Sequence, residues 1–294
     1  MKIICEVNSL KEAKKISTFD NVDIILINLD FLSLDSTLMI EDKEAMKLIE
    51  FVQKTEKDVA LNIDRLFHQD DMLFVKELIE SCPRDYIFYS DLGVYQLLSK
   101  LGYTDMAVYR APTYMTNSND ISAFQMMNEY VVVSNQISSD ELFEIVEHTK
   151  DNLIVDAFGM ACCFYSKRPL VTNYLKFKDY KLKKYRNEVM KLKEETRDNF
   201  YHLVEDVNGT KVYEEAHYAL TSELDFIKDV EYILINRFNV DDKEYIKIVS
   251  LYNDYLSGVI SSYDLDSLLH ELKTTIYKGA YGKKTVLLKE DANE

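Results

Sequence analysis

Glycine and proline are scarce in this 294-residue chain, seven and three in all. So few breakers leave no room for a flexible linker or a low-complexity tract, and no repeat of fixed period is present. The four cysteines, at 5, 82, 162 and 163, form no CxxC pair, which argues against a disulfide scaffold and a standard zinc site. HExxH, GxSxG and GxGxxG are all missing, so metalloprotease, serine-hydrolase and dinucleotide-binding readings have no support. The histidines His68, His148, His202, His217 and His270 share no spacing and read as surface or packing residues. No run reaches the roughly 18 apolar residues of a membrane span. The opening Met-Lys-Ile-Ile-Cys-Glu-Val also lacks a signal peptide's apolar region and cleavage site. A cytoplasmic protein without membrane association is expected.

What the chain does have is acid and apolar residues. The net charge of −16 counts against a stand-alone nucleic-acid binder, since phosphate contacts need a basic footprint. One stretch runs the other way: Lys176, Lys178, Lys181, Lys183, Lys184 and Arg186 interleave with aromatics. That pattern suits a phosphate backbone and stacked bases, and equally a solvated arm that keeps the protein soluble.

At 47% hydrophobic the chain can bury one large core, and one domain over 1–294 is expected. Apolar runs of strand length alternate with helical patterns. Strands are expected at Ile3–Val7, Val22–Leu29, Val59–Ile63, Tyr86–Tyr89, Met106–Tyr109, Tyr130–Val133, Leu153–Ala157 and Tyr232–Ile235. Helices fall between them, one opened by a capping box from Ser138 to Glu141. Eight βα units imply an α/β fold, a TIM-type (β/α)8 barrel. Between the seventh and eighth strands, residues 170–225 form an insertion too long for a plain loop. It holds the basic arm and a hairpin around Asn208-Gly209. Residues 274–294 read as a C-terminal strap, whose GAYGKK lacks phosphate-loop spacing.

The densest chemistry is Asp156-Ala-Phe-Gly-Met-Ala-Cys-Cys-Phe-Tyr-Ser-Lys-Arg-Pro-Leu-Val-Thr-Asn173-Tyr174. An apolar strand ends at Phe158-Gly159, two thiols follow, and a turn rich in hydroxyls and cations comes next. Cys162 and Cys163 read as small buried hydrophobes. Cys162 reads alternatively as a nucleophile whose thiol pKa is lowered by Lys167 and Arg168. Those two cations also suit a carboxylate or phosphate, or simply a surface turn, and Arg110 suits a structural ion pair.

Cys162 followed by Tyr165-Ser166, beyond Gly159, resembles the signature of the collagenase-like putative peptidase family U-32. The longer run is most similar to that family's short branch, linked to 5-hydroxyuridine at the tRNA wobble position alongside a longer paralogue. The resemblance implies catalytic roles for Cys162, Tyr165 and Ser166. It implies substrate binding by Lys167, Arg168, Asn173, Arg110, Asn117, Asp91, Asn135 and Gln136, and RNA binding by the basic arm. The partners it implies are tRNA and a longer cysteine-rich paralogue, and an oligomer is open.

The chain departs from the family in several places. Family members that assemble an iron-sulfur cluster use four cysteines. Here Cys162 fills the first place, Pro169 stands in the second, and no cysteine lies beyond 163. No cofactor is therefore expected on this chain, and a cluster only on a partner. Phe158 stands where the family has His, Asn135-Gln136 where it has Arg-Glu, and Ile235-Asn-Arg237-Phe-Asn239 where it has a Lys-Ile-Glu-Gly-Arg-like run. The resulting expectation is a tRNA-modification protein, a non-cluster or degenerate subunit. A cysteine-dependent peptidase and a non-catalytic scaffold are the alternatives.

Overall fold

Continuous apolar strands need cover on both faces, and a closed ring of parallel strands inside a ring of helices supplies it. The protein, a computed structural model, is described over residues 1–29, 31–34, 40–111, 115–149, 152–180, 188–195 and 199–283. The chain begins β1 (Lys2–Val7), α1 (Leu10–Ile16), β2 (Val22–Asn28), α2 (Asp42–Val52), β3 (Asp58–Ile63), α3 (Met72–Ser81), β4 (Tyr86–Tyr89) and α4 (Leu92–Leu101). It continues with β5 (Ala107–Arg110), α5 (Ser118–Gln125), β6 (Tyr130–Val133), α6 (Ser139–His148) and β7 (Leu153–Gly159).

After β7 the chain leaves the barrel through β8 (Cys162–Ser166), α7 (Leu170–Phe177), β9 (Met190–Lys193), β10 (Phe200–Asp206), β11 (Gly209–Tyr213) and β12 (His217–Ala219). It returns in β13 (Tyr232–Ile235), followed by α8 (Asp242–Leu256), α9 (Ser262–His270) and β14 (Ile276–Tyr277).

Strands β1 to β7 pair in parallel in chain order, and β13 closes the ring by pairing with both β7 and β1. Strand alternation then sorts each run into two faces. Ile4, Ile24, Leu26, Ala60, Phe88, Val108, Val132, Ile154 and Leu234 fill the barrel. Ile3, Ile25, Ile27, Val59, Leu61 and Val155 pack outward in the larger apolar cluster beneath the helices. Local chemistry agrees with this plan. Ser9, Asp91, Asn117, Ser138, Asp241 and Ser261 each cap a helix by accepting a backbone N–H, and Ser138 with Glu141 completes the capping box read from sequence.

The excursion builds its own antiparallel sheet, in the order β8-β11-β10-β9. Its β10–β11 hairpin turns at Asn208-Gly209, as the sequence indicates. At Gly209 φ is +121°, and a Cβ there would lie 2.1 Å from the Ser166 carbonyl oxygen, so only glycine fits. The hairpin is fastened to the barrel. Lys211, fully buried, donates to the equally buried Asp206 carboxylate and to the Leu34 carbonyl beyond β2. Arg65, beyond β3, donates to Asn208 Oδ1 at 2.8 Å and lies 4.2 Å and 4.7 Å from the Phe31 and Phe67 ring centres. Glu205, also buried, accepts from the backbone N–H groups of Val171 and Thr172 and from both threonine hydroxyls of Thr172 and Thr210. That carboxylate occupies the N-terminus of α7 and fixes the helix to the sheet.

The turn expected after the thiols is instead strand β8, because β11 recruits Cys162–Ser166 as its edge partner. The second sheet therefore starts ahead of the boundary at 170. A register shift at Cys162–Cys163 marks a β-bulge. Helix α7 had no sequence signal strong enough to be read. Lys181, Lys183, Lys184 and Arg186 lie outside the described residues, as does the strap beyond 283. Its described part pairs β14 with β12 and buries Tyr281, whose hydroxyl donates to the Asp156 carbonyl at 3.1 Å. Among the described residues, no helix is long and apolar enough to cross a membrane.

Removing one partner of a buried ion pair strands the other charge. Asp206→Ala should destabilise the protein by about 3–5 kcal/mol, whereas Asp206→Leu with Lys211→Met should recover most of the loss. Urea unfolding of the three proteins checks this, and equal losses in the single and double variants would contradict it.

Candidate functional site

At the C-terminal ends of seven of the eight barrel strands the last inward-facing position is polar, and together these positions form the barrel mouth. Glu6 comes from β1, Asn28 from β2, Asn62 from β3, Ser90 from beyond β4, Arg110 from β5, Asp156 from β7 and Asn236 from beyond β13. Most of them line a cavity of about 110 Å³, together with Asp64, Asn135, Met160, Cys162, Tyr213, Tyr218 and Phe238. This is the C-terminal end of the strands, where barrels of this kind carry their sites. The second sheet stands over it. Tyr213 of β11 stacks on Phe238 at 3.9 Å and 17°, and with Met160 and Cys162 these rings give the cavity an apolar wall.

A hydrogen-bonded network crosses the floor. The Arg110 guanidinium donates to Glu6 Oε1 at 3.3 Å and to Asn236 Oδ1. Asn236 Nδ2 donates to Asp156 Oδ1 at 2.9 Å and lies 3.2 Å from the Tyr218 hydroxyl. Asn135 Nδ2 reaches the other Asp156 oxygen and the same hydroxyl, each at 3.1 Å. Tyr218 thus accepts two N–H groups, and no acceptor for its own proton is found among the described residues. A second cavity, of about 190 Å³, lies across Asn135 and Tyr218 from the first.

Burial opposes the charge on Arg110, but Asp156, Glu6 and Asp64 more than offset it, so the guanidinium holds its proton more firmly than usual. Burial also pushes the Asp156 carboxyl up, and Arg110 with the two amides only partly restrains it. Burial raises the Tyr218 phenol well above its ordinary range, so it stays a neutral donor. The mouth therefore offers a carboxyl whose pKa burial raises, a phenol and several amides.

The residues singled out from sequence divide. Arg110, Asn135 and Cys162 line the mouth, and Gln136 lies beside it, its amide donating to the Cys162 carbonyl at 3.1 Å. Tyr165 and Ser166 sit further along β8. The Tyr165 hydroxyl donates to the Asn208 carbonyl at 3.0 Å, with its pKa pushed up to about 12, mainly by burial. Ser166 Oγ accepts from the Arg168 backbone at 3.2 Å. Lys167 donates to the Phe67 carbonyl at 3.1 Å, and Arg168 is exposed. Asp91 and Asn117 have their side chains in the caps of α4 and α5. Asn173, Lys176 and Lys178 are exposed on α7 or at its end.

The ring of His217 stacks on Phe158, its Nε2 lies 2.8 Å from the Phe238 carbonyl, and burial lowers its pKa to about 4. The four thiols do not form a four-thiolate set. Cys5 is buried on β1, Cys82 ends α3, and Cys163 turns to the Val212 carbonyl at 3.3 Å while Cys162 faces the mouth.

Glu6, Asn28, Asn62 and Tyr218 escape a motif search, since none belongs to a spaced pattern, while Asp156 and Asn236 lie within stretches compared with the family without being singled out. A different signal could have found most of them: a polar residue at the C-terminal end of an otherwise apolar, doubly covered strand, in step with the inward apolar positions before it.

The profile of peptidase family U32 matches residues 18–264. The tRNA hydroxylation protein P2 of Bacillus subtilis (strain 168) is 28% identical over 142 residues, 45% of this chain. The match likewise spans only 45% of that protein's length. The solved structure of the U32 peptidase Mk0906 superposes with a TM-score of 0.52 at 12% identity, over 80% of this chain and 92% of that one, and so shares the fold.

A raised Asp156 pKa means that the native state keeps this proton to higher pH than the unfolded chain, where the carboxyl titrates near its ordinary 3.8. Its contribution to stability is full below that value and is lost as pH climbs through the raised one. Asp156→Asn removes the titration. The stability of the wild type relative to this variant should thus fall as pH rises from acid toward neutral. Urea midpoints across that range test it; a difference that is flat or grows with pH would refute it.

Proposed function

The chain belongs to peptidase family U32, and from that premise we propose that it acts in tRNA modification, in forming 5-hydroxyuridine at the wobble position. The barrel mouth receives the nucleoside, and the second sheet with its aromatic and basic helix meets the RNA. The observation that carries this reading is the mouth itself. Amides, a phenol and a raised carboxyl surround a small cavity with an aromatic wall, a chemistry suited to a nucleobase and poor for cleaving a peptide. The B. subtilis relative, by its name, acts in tRNA hydroxylation. A thiol nucleophile needs a base or a strong field of cations. The His217 imidazole, with its pKa lowered to about 4, is a weak base, and Lys167, beyond the end of β8, has its ammonium on the Phe67 carbonyl.

Helix α7 supports the same reading. Tyr174, Phe177 and the following Tyr180 are 55%, 83% and 60% exposed, beside exposed Lys176 and Lys178. Exposed rings among lysines stack bases and meet phosphates. Extruding a base costs a few kcal/mol, which stacking on one or two such rings offsets. In this reading the longer cysteine-rich paralogue supplies whatever cluster chemistry is required, and this chain binds and orients the nucleoside.

Deleting the gene should remove 5-hydroxyuridine and its derivatives from digested tRNA, as read by mass spectrometry. The wild type should restore them, and Asp156→Ala or Tyr218→Phe should restore at most a small fraction. Cys162→Ser separates two routes: full restoration removes the thiol from the chemistry, and none makes it essential. Unchanged tRNA in the deletion strain, with no redundant paralogue, would overturn the proposal.

A further inference from the structure

Asn28 and Asn62 are register partners on the adjacent parallel strands β2 and β3. They are 1% and 2% exposed, and both line the mouth cavity. Asn62 Nδ2 donates to Asn28 Oδ1 at 2.7 Å. Among the described residues, Asn28 Nδ2 and Asn62 Oδ1 have no partner, and neither does Asn135 Oδ1, which lines the same cavity. Buried amide groups are almost always satisfied, because an unsatisfied one costs about 1–3 kcal/mol. Three such atoms around one cavity are a demand for an occupant. Exchanging O and N in both paired amides leaves the demand unchanged, since the pair always presents one free N–H2 and one free carbonyl side by side.

The occupant's charge can also be read. Glu6 and Asp64 outnumber Arg110 around the cavity, and each terminal nitrogen of Arg110 already donates once, to Glu6 and to Asn236. A carboxylate or phosphate would meet net negative charge there. The cavity of about 110 Å³ is several waters in size and accommodates one small ring. Tyr213, Phe238 and Met160 supply an apolar wall for the face of that ring.

We infer that the Asn28–Asn62 pair reads the edge of a neutral ring carrying a carbonyl beside an N–H, and that in the function proposed above this ring is the uracil base. Asn28 donates to the ring carbonyl and Asn62 accepts the adjacent ring N–H. Asn135 Oδ1 and the Tyr218 proton remain for the opposite side. The identity of the base rests on the tRNA reading; the shape and polarity of the edge do not.

The test is ligand-detected saturation-transfer NMR on the full chain, with uridine, 3-methyluridine and succinate each at millimolar concentration. Uridine should give a signal. Blocking its N3–H by methylation should weaken binding at least about tenfold, because the Asn62 carbonyl is left unpaired. Succinate should give no signal. Replacing both amides together, Asn28→Leu with Asn62→Leu, leaves neither orphaned, so the variant should melt close to the wild type and lose the uridine signal. No uridine signal, equal binding of 3-methyluridine, or a preference for succinate would overturn the inference, and none of these outcomes depends on a variant folding. Discrimination among nucleosides together with unchanged tRNA in the deletion strain would sink the tRNA reading and leave the edge assignment standing. Loss of the tRNA nucleoside without such discrimination would do the reverse.

Discussion

Arg110 is the constraint on which the mouth depends. A closed barrel screens its interior from bulk water, so the polar groups at the rim are held chiefly by one another. The guanidinium meets Glu6 on one side and Asn236 on the other, and through Asn236 it reaches Asp156, Asn135 and Tyr218. Six strands or strand ends are thereby tied at one level.

The second sheet is the complementary constraint. It is held at its hairpin tip by a buried ammonium–carboxylate pair, a guanidinium between two aromatic rings and a carboxylate under α7. These contacts reach the segments after β2 and β3, the strands that carry Asn28 and Asn62. The cover over the cavity and the pair that lines it are consequently positioned by the same piece of backbone.

The barrel was legible because its strands are apolar on both faces and separated by capped amphipathic helices; Ser138 to Glu141 and Asn208-Gly209 state their structures locally. Strand β8 was not. Cys162 to Ser166 has hydroxyls and no alternation, and its conformation is set by pairing with β11, some forty-five residues away along the chain. The site was legible in part. Arg110, Asn135 and Cys162 came from a family resemblance and do lie at the mouth. Asp91 and Asn117, drawn by the same reasoning, have their side chains in helix caps. Asn28, Asn62 and Tyr218 were invisible to motif spacing, since their proximity is created by barrel closure rather than by sequence distance.

The excursion leaves the barrel at Gly159 and comes back at Tyr218, and these two residues are themselves cross-strand partners. A Cβ on Gly159 would stand 2.8 Å from the Asn236 Cβ and 2.9 Å from the Tyr218 hydroxyl, so exit and return are pressed together at the rim. A loop whose ends already touch can change length at little entropic cost, since the closure term grows only as the logarithm of the number of residues. The length of the excursion is therefore only weakly constrained by the barrel, so it can grow or shrink between Ser166 and Gly209 while the residues it lends to the mouth, Cys162, Tyr213 and Tyr218, keep their places.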